Sequence, residues 1–274
     1  MAFFIAGFAL WLAAACPAAS QESLLWQEPR AKGQEAERPA TGEEGVVRAG
    51  LEIWFARIRG DLESDAPGFP DTKFSMNGDA GIGNEVLPKV FVDYVPNADF
   101  LFRLAIRSLE SSGSKTLGKQ VDFDGKTFPN GSRVSSDFDA VWVSLEARIP
   151  ARIDPADSFQ GQSVIMFHVL DADFELSGVP GRGRQRYTIE FFEYGVEARA
   201  MIGEGAYLGG QMSFAWGFSD GFIGGEIGLK GGYQSKRVAV EGGFRWWGMG
   251  GAINDEPDLD LRMRGPYLGA TFRF

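Results

Sequence analysis

The chain is 274 residues long, carries a formal charge of −10, and holds 37 Gly and 23 Phe but a single cysteine, Cys16, and a single histidine, His168. The acidic balance excludes the basic footprint that nucleic-acid partners need, and one cysteine excludes an intramolecular disulfide or a cysteine-based metal cluster. Glycine stands near twice its usual share of about 7%; it weakens helix interiors but suits twisted sheets with close backbone approach, so the composition points to an all-β protein.

Residues 2–15, AFFIAGFALWLAAA, form the only long apolar run. It is shorter than the ~20 residues of a spanning helix, and Ala18-Ala19-Ser20 before Gln21 suits a signal-peptidase cut. Residues 1–20 therefore read as a signal peptide, although no Lys or Arg precedes the run. Cys16 after Ala13-Ala14-Ala15 leaves lipoprotein processing open, without the Leu such a site carries three places earlier. Residues 21–45 are polar and Pro-containing and read as a flexible periplasmic linker.

From residue 46 to 274 a period of two takes over, which helices do not produce. Leu51, Ile53 and Phe55 alternate with Glu52. Val90, Val92 and Tyr94 alternate with Asp93, and Leu104 and Ile106 with Arg103 and Arg107. Val141, Val143, Leu145 and Ile149 oppose Ser144, Glu146 and Arg148. Leu170, Phe174 and Leu176 are set against Asp171, Asp173 and Glu175. Phe192, Tyr194 and Val196 oppose Glu193, Glu197 and Arg199. The clearest stretch runs over 206–248, where Met212, Phe214, Trp216, Ile227, Leu229, Phe244 and Trp246 face away from Gln211, Glu226, Lys230, Glu241 and Arg245. With the last segment this makes about ten strands, eight if two weak ones are loops, each near the ~9–11 residues that cross a bilayer when tilted. Long polar connections (63–87, 110–136) alternate with short links such as PNAD (96–99), IGEG (202–205) and QSKR (234–237).

Alternation alone does not separate a soluble sandwich from a membrane barrel, because the two place the apolar face on opposite sides. Three features favour the barrel. Aromatics cluster near strand ends (Trp54, Trp216, Trp246, Phe272, Phe274), as interface girdles do. The opposite faces are charged and rich in glycine. The final strand is apolar to its last residue, which suits a closed sheet without a free edge. The fold class expected is all-β, an antiparallel up-and-down transmembrane barrel.

The terminal stretch YLGATFRF, with Leu268, Ala270, Phe272 and Phe274 on one face, resembles the C-terminal signal of Gram-negative outer-membrane β-barrels; Pro266 departs from it near the strand's start. The resemblance to small outer-membrane barrel proteins covers roughly 46–274. It implies recognition of Leu268, Ala270, Phe272 and Phe274 by the barrel-assembly machinery, contact with outer-membrane lipid and lipopolysaccharide, and export to the cell outer membrane. It specifies architecture and leaves activity open.

The residues expected in the lumen carry both signs: Glu52, Arg103, Arg107, Glu146, Arg148, Asp171, Asp173, Glu193, Glu197, Arg199, Glu226, Lys230, Glu241 and Arg245. A self-paired plug with a structural or surface-interaction role is the first reading, and a narrow polar channel the alternative. A hydrolase built on His168 with Asp171 and Asp173 is the third, with the histidine in mid-strand and pointing at lipid if it keeps step with Leu170. No catalytic residue, cofactor or metal is assigned, since the acidic stretches 122–125 and 254–262 lack the spacing of a calcium loop. Arg182, Arg184 and Arg186, expected on a glycine-rich outer loop, are candidates for lipopolysaccharide phosphates.

Overall fold

The structure, a computed structural model, describes residues 45–64, 72–97, 99–152, 159–218, 222–253 and 256–274. The expected signal peptide and all of the linker but Gly45 lie outside the described residues. Long strands dominate: β1 (Val46–Ser64), β3 (Asn84–Asn97), β4 (Phe100–Thr116), β7 (Arg133–Arg152), β8 (Phe159–Gly178), β9 (Gly181–Met201), β10 (Ala206–Gly217), β11 (Ile223–Gln234), β12 (Val238–Ile253) and β13 (Glu256–Arg273). Three short ones complete the set: β2 (Thr72–Ser75), β5 (Val121–Phe123) and β6 (Lys126–Phe128).

Each long strand pairs antiparallel with the next, and β13 returns to pair with β1, with Ile53 opposite Leu268. The result is a closed ten-stranded barrel, the ten strands matching the ten alternating segments one for one. Closure leaves no lipid-facing edge of unpaired backbone groups. β2 adds to the upper end of β1, while β5 and β6 form a separate hairpin.

Strand lengths are unequal. β9 has 21 residues and β7 and β8 have 20, whereas β10 and β11 have 12. The longer ones exceed what a bilayer needs by nearly a factor of two. Along each of them the parity of inward and outward positions holds, but the chemistry on the two faces exchanges. On β1 the outward residues run Val47, Leu51, Phe55 and then Arg57, Arg59, Asp61, while the inward ones run Arg48, Glu52 and then Trp54, Ala56, Ile58, Leu62. On β9 the outward series changes between Glu190 and Phe192, on β7 between Asp139 and Val141, and on β13 between Arg264 and Leu268.

The barrel therefore has two storeys. In the lower one, which contains both described termini, Leu208, Met212, Phe214, Ile227, Leu229 and Leu268 are more than half exposed on the outer face, a band that only lipid covers favourably. In the upper one the apolar side chains turn inward. Phe74, Phe123, Phe138 and Phe174 are fully buried, with ring centroids 5.4–6.3 Å apart along the contacts Phe174 makes to Phe123 and Phe138. The β5–β6 hairpin supplies Phe123 and Phe128 to this core and so lies across the barrel mouth. Each such ring contributes on the order of 1.5–3 kcal/mol on burial. Outside the upper storey is charged, as a wall standing in water should be.

Two glycines permit the close packing. A Cβ on Gly265 would strike the carbonyl of Phe55, and one on Gly50 would sit inside the Phe91 ring that crosses it in the lumen.

Candidate functional site

The lower lumen is filled by charges that neutralise one another within strands, between neighbouring strands and, for Glu52–Arg245, Glu52–Arg107, Lys89–Glu146, Arg148–Glu197 and Lys230–Glu197, across an intervening strand. Glu52 on β1 accepts from Arg245 of β12 at 2.7 and 3.0 Å and from Arg107 of β4 at 3.1 Å. The Arg245 Nε lies 3.2 Å from Glu226. A second chain runs from Lys89 to Glu146 (3.6 Å), to Arg148 (2.8 Å), to Glu197 (3.2 Å), to Lys230 (2.6 Å) and on to Glu241 (3.5 Å), with Arg199 also 2.6 Å from Glu197. Arg103 donates two bonds to Asp93, at 2.6 and 3.0 Å. The hydroxyls of Tyr207 and Tyr267 donate to Glu241 at 2.8 and 3.3 Å.

Where the charged storey meets the apolar one, arginines lie against aromatic rings. The Arg107 guanidinium is 5.2 Å from the Trp54 ring and 5.0 Å from Trp142, and Arg245 is 4.4 Å from Tyr267. Trp142 and Trp247 contact each other at 4.7 Å. Cations on ring faces keep an attractive partner while turning an apolar surface upward, so the two storeys join without a bare charge against the core. Among these charges lies a cavity of about 130 Å³, lined by groups such as Glu52, His168, Glu193 and Arg245. That is room for several waters.

Twelve of the fourteen residues expected in the lumen line this cavity or its network: Glu52, Arg103, Arg107, Glu146, Arg148, Glu193, Glu197, Arg199, Glu226, Lys230, Glu241 and Arg245. Lys89 and Asp93 join them, and the alternation of β3 carried that signal in both residues. Asp171 and Asp173 do not belong there. They lie on the outer face of β8, because Leu170, Ala172, Phe174 and Leu176 take the inner positions. Reading apolar residues as lipid-facing inverts above the membrane, where the core is inside. The same reversal corrects His168, which points inward and is 4% exposed. It also corrects Trp54, fully buried with its Nε1 donating to the Gly265 carbonyl at 3.1 Å, and therefore no part of an outer girdle. Trp216, Trp246, Phe272 and Phe274 do face outward, as do Leu268 and Ala270 on the last strand.

Arg182, Arg184 and Arg186 lie on β9 and not on a loop, since β8 and β9 are joined by a turn of two residues after Gly178. Each arginine faces a carboxylate of β8: Arg182 with Glu175 at 2.9 Å, Arg184 with Asp173 at 2.8 Å, Arg186 with Asp171 at 2.9 Å. The bonds from Arg184 and Arg186 hold the carboxyls of Asp173 and Asp171 below the usual aspartate range. Asp139 on β7 goes the other way, raised by burial and by the nearby Glu110, Asp137 and Asp173.

His168 Nδ1 accepts from the Trp142 indole at 2.9 Å, and Nε2 lies 3.2 Å from Glu193, off the line of a good hydrogen bond. The Ser213 hydroxyl donates to Glu193 and not to the imidazole. A nucleophile activated by a base needs the hydroxyl on the histidine, so this cluster lacks the first contact of a hydrolytic triad. Among the described residues no cluster of His, Cys, Asp and Glu is disposed to hold a metal.

No protein-family model matches this sequence, and no curated protein matches it. Solved structures do. The outer membrane protease OmpT of Escherichia coli aligns over 87% of this chain and all of its own, at 10% identity and a TM-score of 0.52. The translocator domain of the autotransporter NalP of Neisseria meningitidis aligns over 85% and 90% of the two chains at 8% identity and a TM-score of 0.46. The attachment invasion locus protein Ail of Yersinia pestis aligns over 84% and 99% at 13% identity and a TM-score of 0.36. At such identities the likeness to the first of these is one of fold. Closed, ten-stranded and apolar on the outside of its lower storey, the chain has the fold of the Gram-negative outer-membrane β-barrels.

Proposed function

We propose that this is a plugged, non-conducting barrel of the cell outer membrane, with a structural or surface-interaction role and no chemistry of its own. The reciprocal pairing of the lumen charges carries the reading: Glu197 alone answers Arg148, Arg199 and Lys230, and Glu52 answers Arg107 and Arg245. A selective pore keeps a surplus of one sign along its path, and here the charges of the two networks, Glu193 apart, are each spent on a neighbour of opposite sign. Above the network the Trp142–Trp247 contact and the phenylalanine core stand in the way of a solute. In planar bilayers the purified chain is expected to insert silently; steady single-channel steps overturn the plug.

A narrow channel for small polar solutes is the second reading, supported by the polar cavity of about 130 Å³ in the membrane storey. The same recording separates the two. Hydrolysis of a lipid or peptide substrate that vanishes in His168→Ala would bring the enzyme reading back. Export depends in this scheme on the segment 1–20, and assembly on recognition of Leu268, Ala270, Phe272 and Phe274 by the barrel-assembly machinery. Outer-membrane lipid and lipopolysaccharide are the partners the outer wall meets.

A further inference from the structure

We propose that Arg57, Arg59, Arg262 and Arg264, on the β1–β13 seam, form a binding site for a phosphorylated lipid of the outer leaflet. The inference rests on the membrane placement of the lower storey and deepens the surface role by locating it. All four side chains are exposed on the outer wall. The register puts Arg57 directly opposite Arg264 and Arg59 directly opposite Arg262. Directly opposed side chains on one face have Cβ atoms about 5 Å apart, and the next rung on that face is about 7 Å along the strand, so four guanidinium forks share one small patch.

Like charges placed opposite each other destabilise a sheet, and this seam has two such pairs in succession. Among the described residues only Arg262 has a carboxylate within ion-pair distance, Asp260 at 2.7 Å; Asp61, opposite Asp260 on the next rung, pairs with none of the four. Arg57, Arg59 and Arg264 make no ion pair among the described residues. The arginines of β9, by contrast, are each matched with an acid, which leaves them less to offer a phosphate. A cluster of four forks with one of them paired to a carboxylate keeps a net positive charge that a multiply charged phosphate ligand satisfies by bidentate hydrogen bonds.

Height supplies the second argument. Arg57 is the first outward residue above Phe55, and on β13 the outward chemistry turns apolar from Arg264 to Leu268; Trp246 of β12 lies in register with Arg264. Phe55, Val86 and Leu268 below are 47%, 54% and 63% exposed. A ligand whose phosphates reach the arginines thus has its acyl chains beside this belt, which selects an amphiphile over a free anion. On the opposite wall the corresponding height is acidic, with Glu110 opposite Asp139 and Asp139 opposite Asp173. The site is a sector of the rim and not the whole of it.

The full chain in detergent is titrated with bis-phosphorylated lipid A, with its dephosphorylated form and with inorganic phosphate, and adducts are counted by native mass spectrometry. Wild type is expected to take up lipid A, to ignore the dephosphorylated lipid, and to keep its adduct when inorganic phosphate is added. The combined change Arg57→Gln, Arg59→Gln, Arg262→Gln and Arg264→Gln is expected to weaken the adduct about tenfold or more, without loss of heat-modifiable folding. The triple change Arg182→Gln, Arg184→Gln and Arg186→Gln should leave it intact. Undiminished binding by the fourfold variant, equal binding of the dephosphorylated lipid, loss of binding in the triple variant alone, or displacement by inorganic phosphate each overturns the assignment. Conductance plays no part in this readout, so a leaking lumen and an empty seam are told apart.

Discussion

The two storeys of this barrel obey one rule under two solvents. Below, Val90 and Leu229 face out and Glu52 and Glu197 face in; above, Phe174 and Leu176 face in and Asp173 and Arg184 face out. The strands do not change parity between them. What changes is the medium outside the wall, and with it the side on which apolar surface is stable. The lower interior is held by geometry-dependent ion pairs and the upper by non-directional packing, and the two respond differently to substitution.

The largest expected effect comes from breaking the lower network at its most connected acid. Glu197→Gln removes the charge shared by Arg148, Arg199 and Lys230, and stripping one partner from a buried cluster costs about 3–5 kcal/mol. Urea unfolding of the barrel reconstituted in bilayers measures it; an unchanged midpoint would show that the three cations have other means of neutralisation. The same variant is expected to admit anions if the plug is electrostatic, and bilayer recordings check that.

Phe174→Ala addresses the upper interior. Its ring touches Phe74, Phe123 and Phe138, and a buried Phe→Ala change costs about 3–5 kcal/mol in a close-packed core, toward the lower end here because the mouth can relax inward. Limited proteolysis should then cut the β5–β6 segment first, since Phe123 loses the ring that anchors the hairpin. Conductance should stay silent, because the charged storey is untouched.

A pair of outer-wall changes sharpens the boundary. Val90→Arg on the lower wall is expected to cost about 2–4 kcal/mol at mid-belt, while Arg184→Leu on the upper wall should cost far less, since it removes only a solvent-exposed ion pair. Equal costs would mean that the two outer faces meet the same medium.

The smallest effects concern the acidic rim. Asp139→Asn is expected to stabilise by about 0.2–1 kcal/mol by relieving the like charge opposite it. The pH dependence has two signs. Asp139, raised, costs stability at neutral pH, and the cost fades as pH falls through its elevated value. Asp171 and Asp173, lowered by Arg186 and Arg184, add stability that is full above the ordinary aspartate value of about 3.8 and is lost as pH falls through their depressed values. An acid titration of rim stability by hydrogen exchange should therefore rise slightly and then fall; a monotonic fall would remove the strain assigned to Asp139.

Much of this was legible in the residues. Ten alternating segments became ten strands, and Glu52, Glu146, Glu197, Lys230 and Arg245 lie on the side that their alternation with Leu51, Leu145, Val196, Leu229 and Phe244 indicates. The acids of β8 were not legible in the same way. Asp171 and Asp173 alternate with Leu170 and Phe174 as strictly as any lumen pair, yet they face water, because that stretch stands above the lipid. Trp54 was misplaced for the same reason, since an aromatic near a strand end suits the girdle and the core floor equally. Arg182, Arg184 and Arg186 looked like a loop because a polar outer face next to glycines has no apolar stripe to announce a strand.

The seam between β1 and β13 lies beyond any local reading. Arg57 and Arg264 are separated by most of the chain, and only ring closure sets them opposite each other. By itself the order of residues determined an all-β chain of about ten alternating strands, because period two is a local property of the backbone. The tertiary structure alone decided where along each strand the solvent changes and which charges meet. Those depend on strand register around the whole ring, and no single segment carries that.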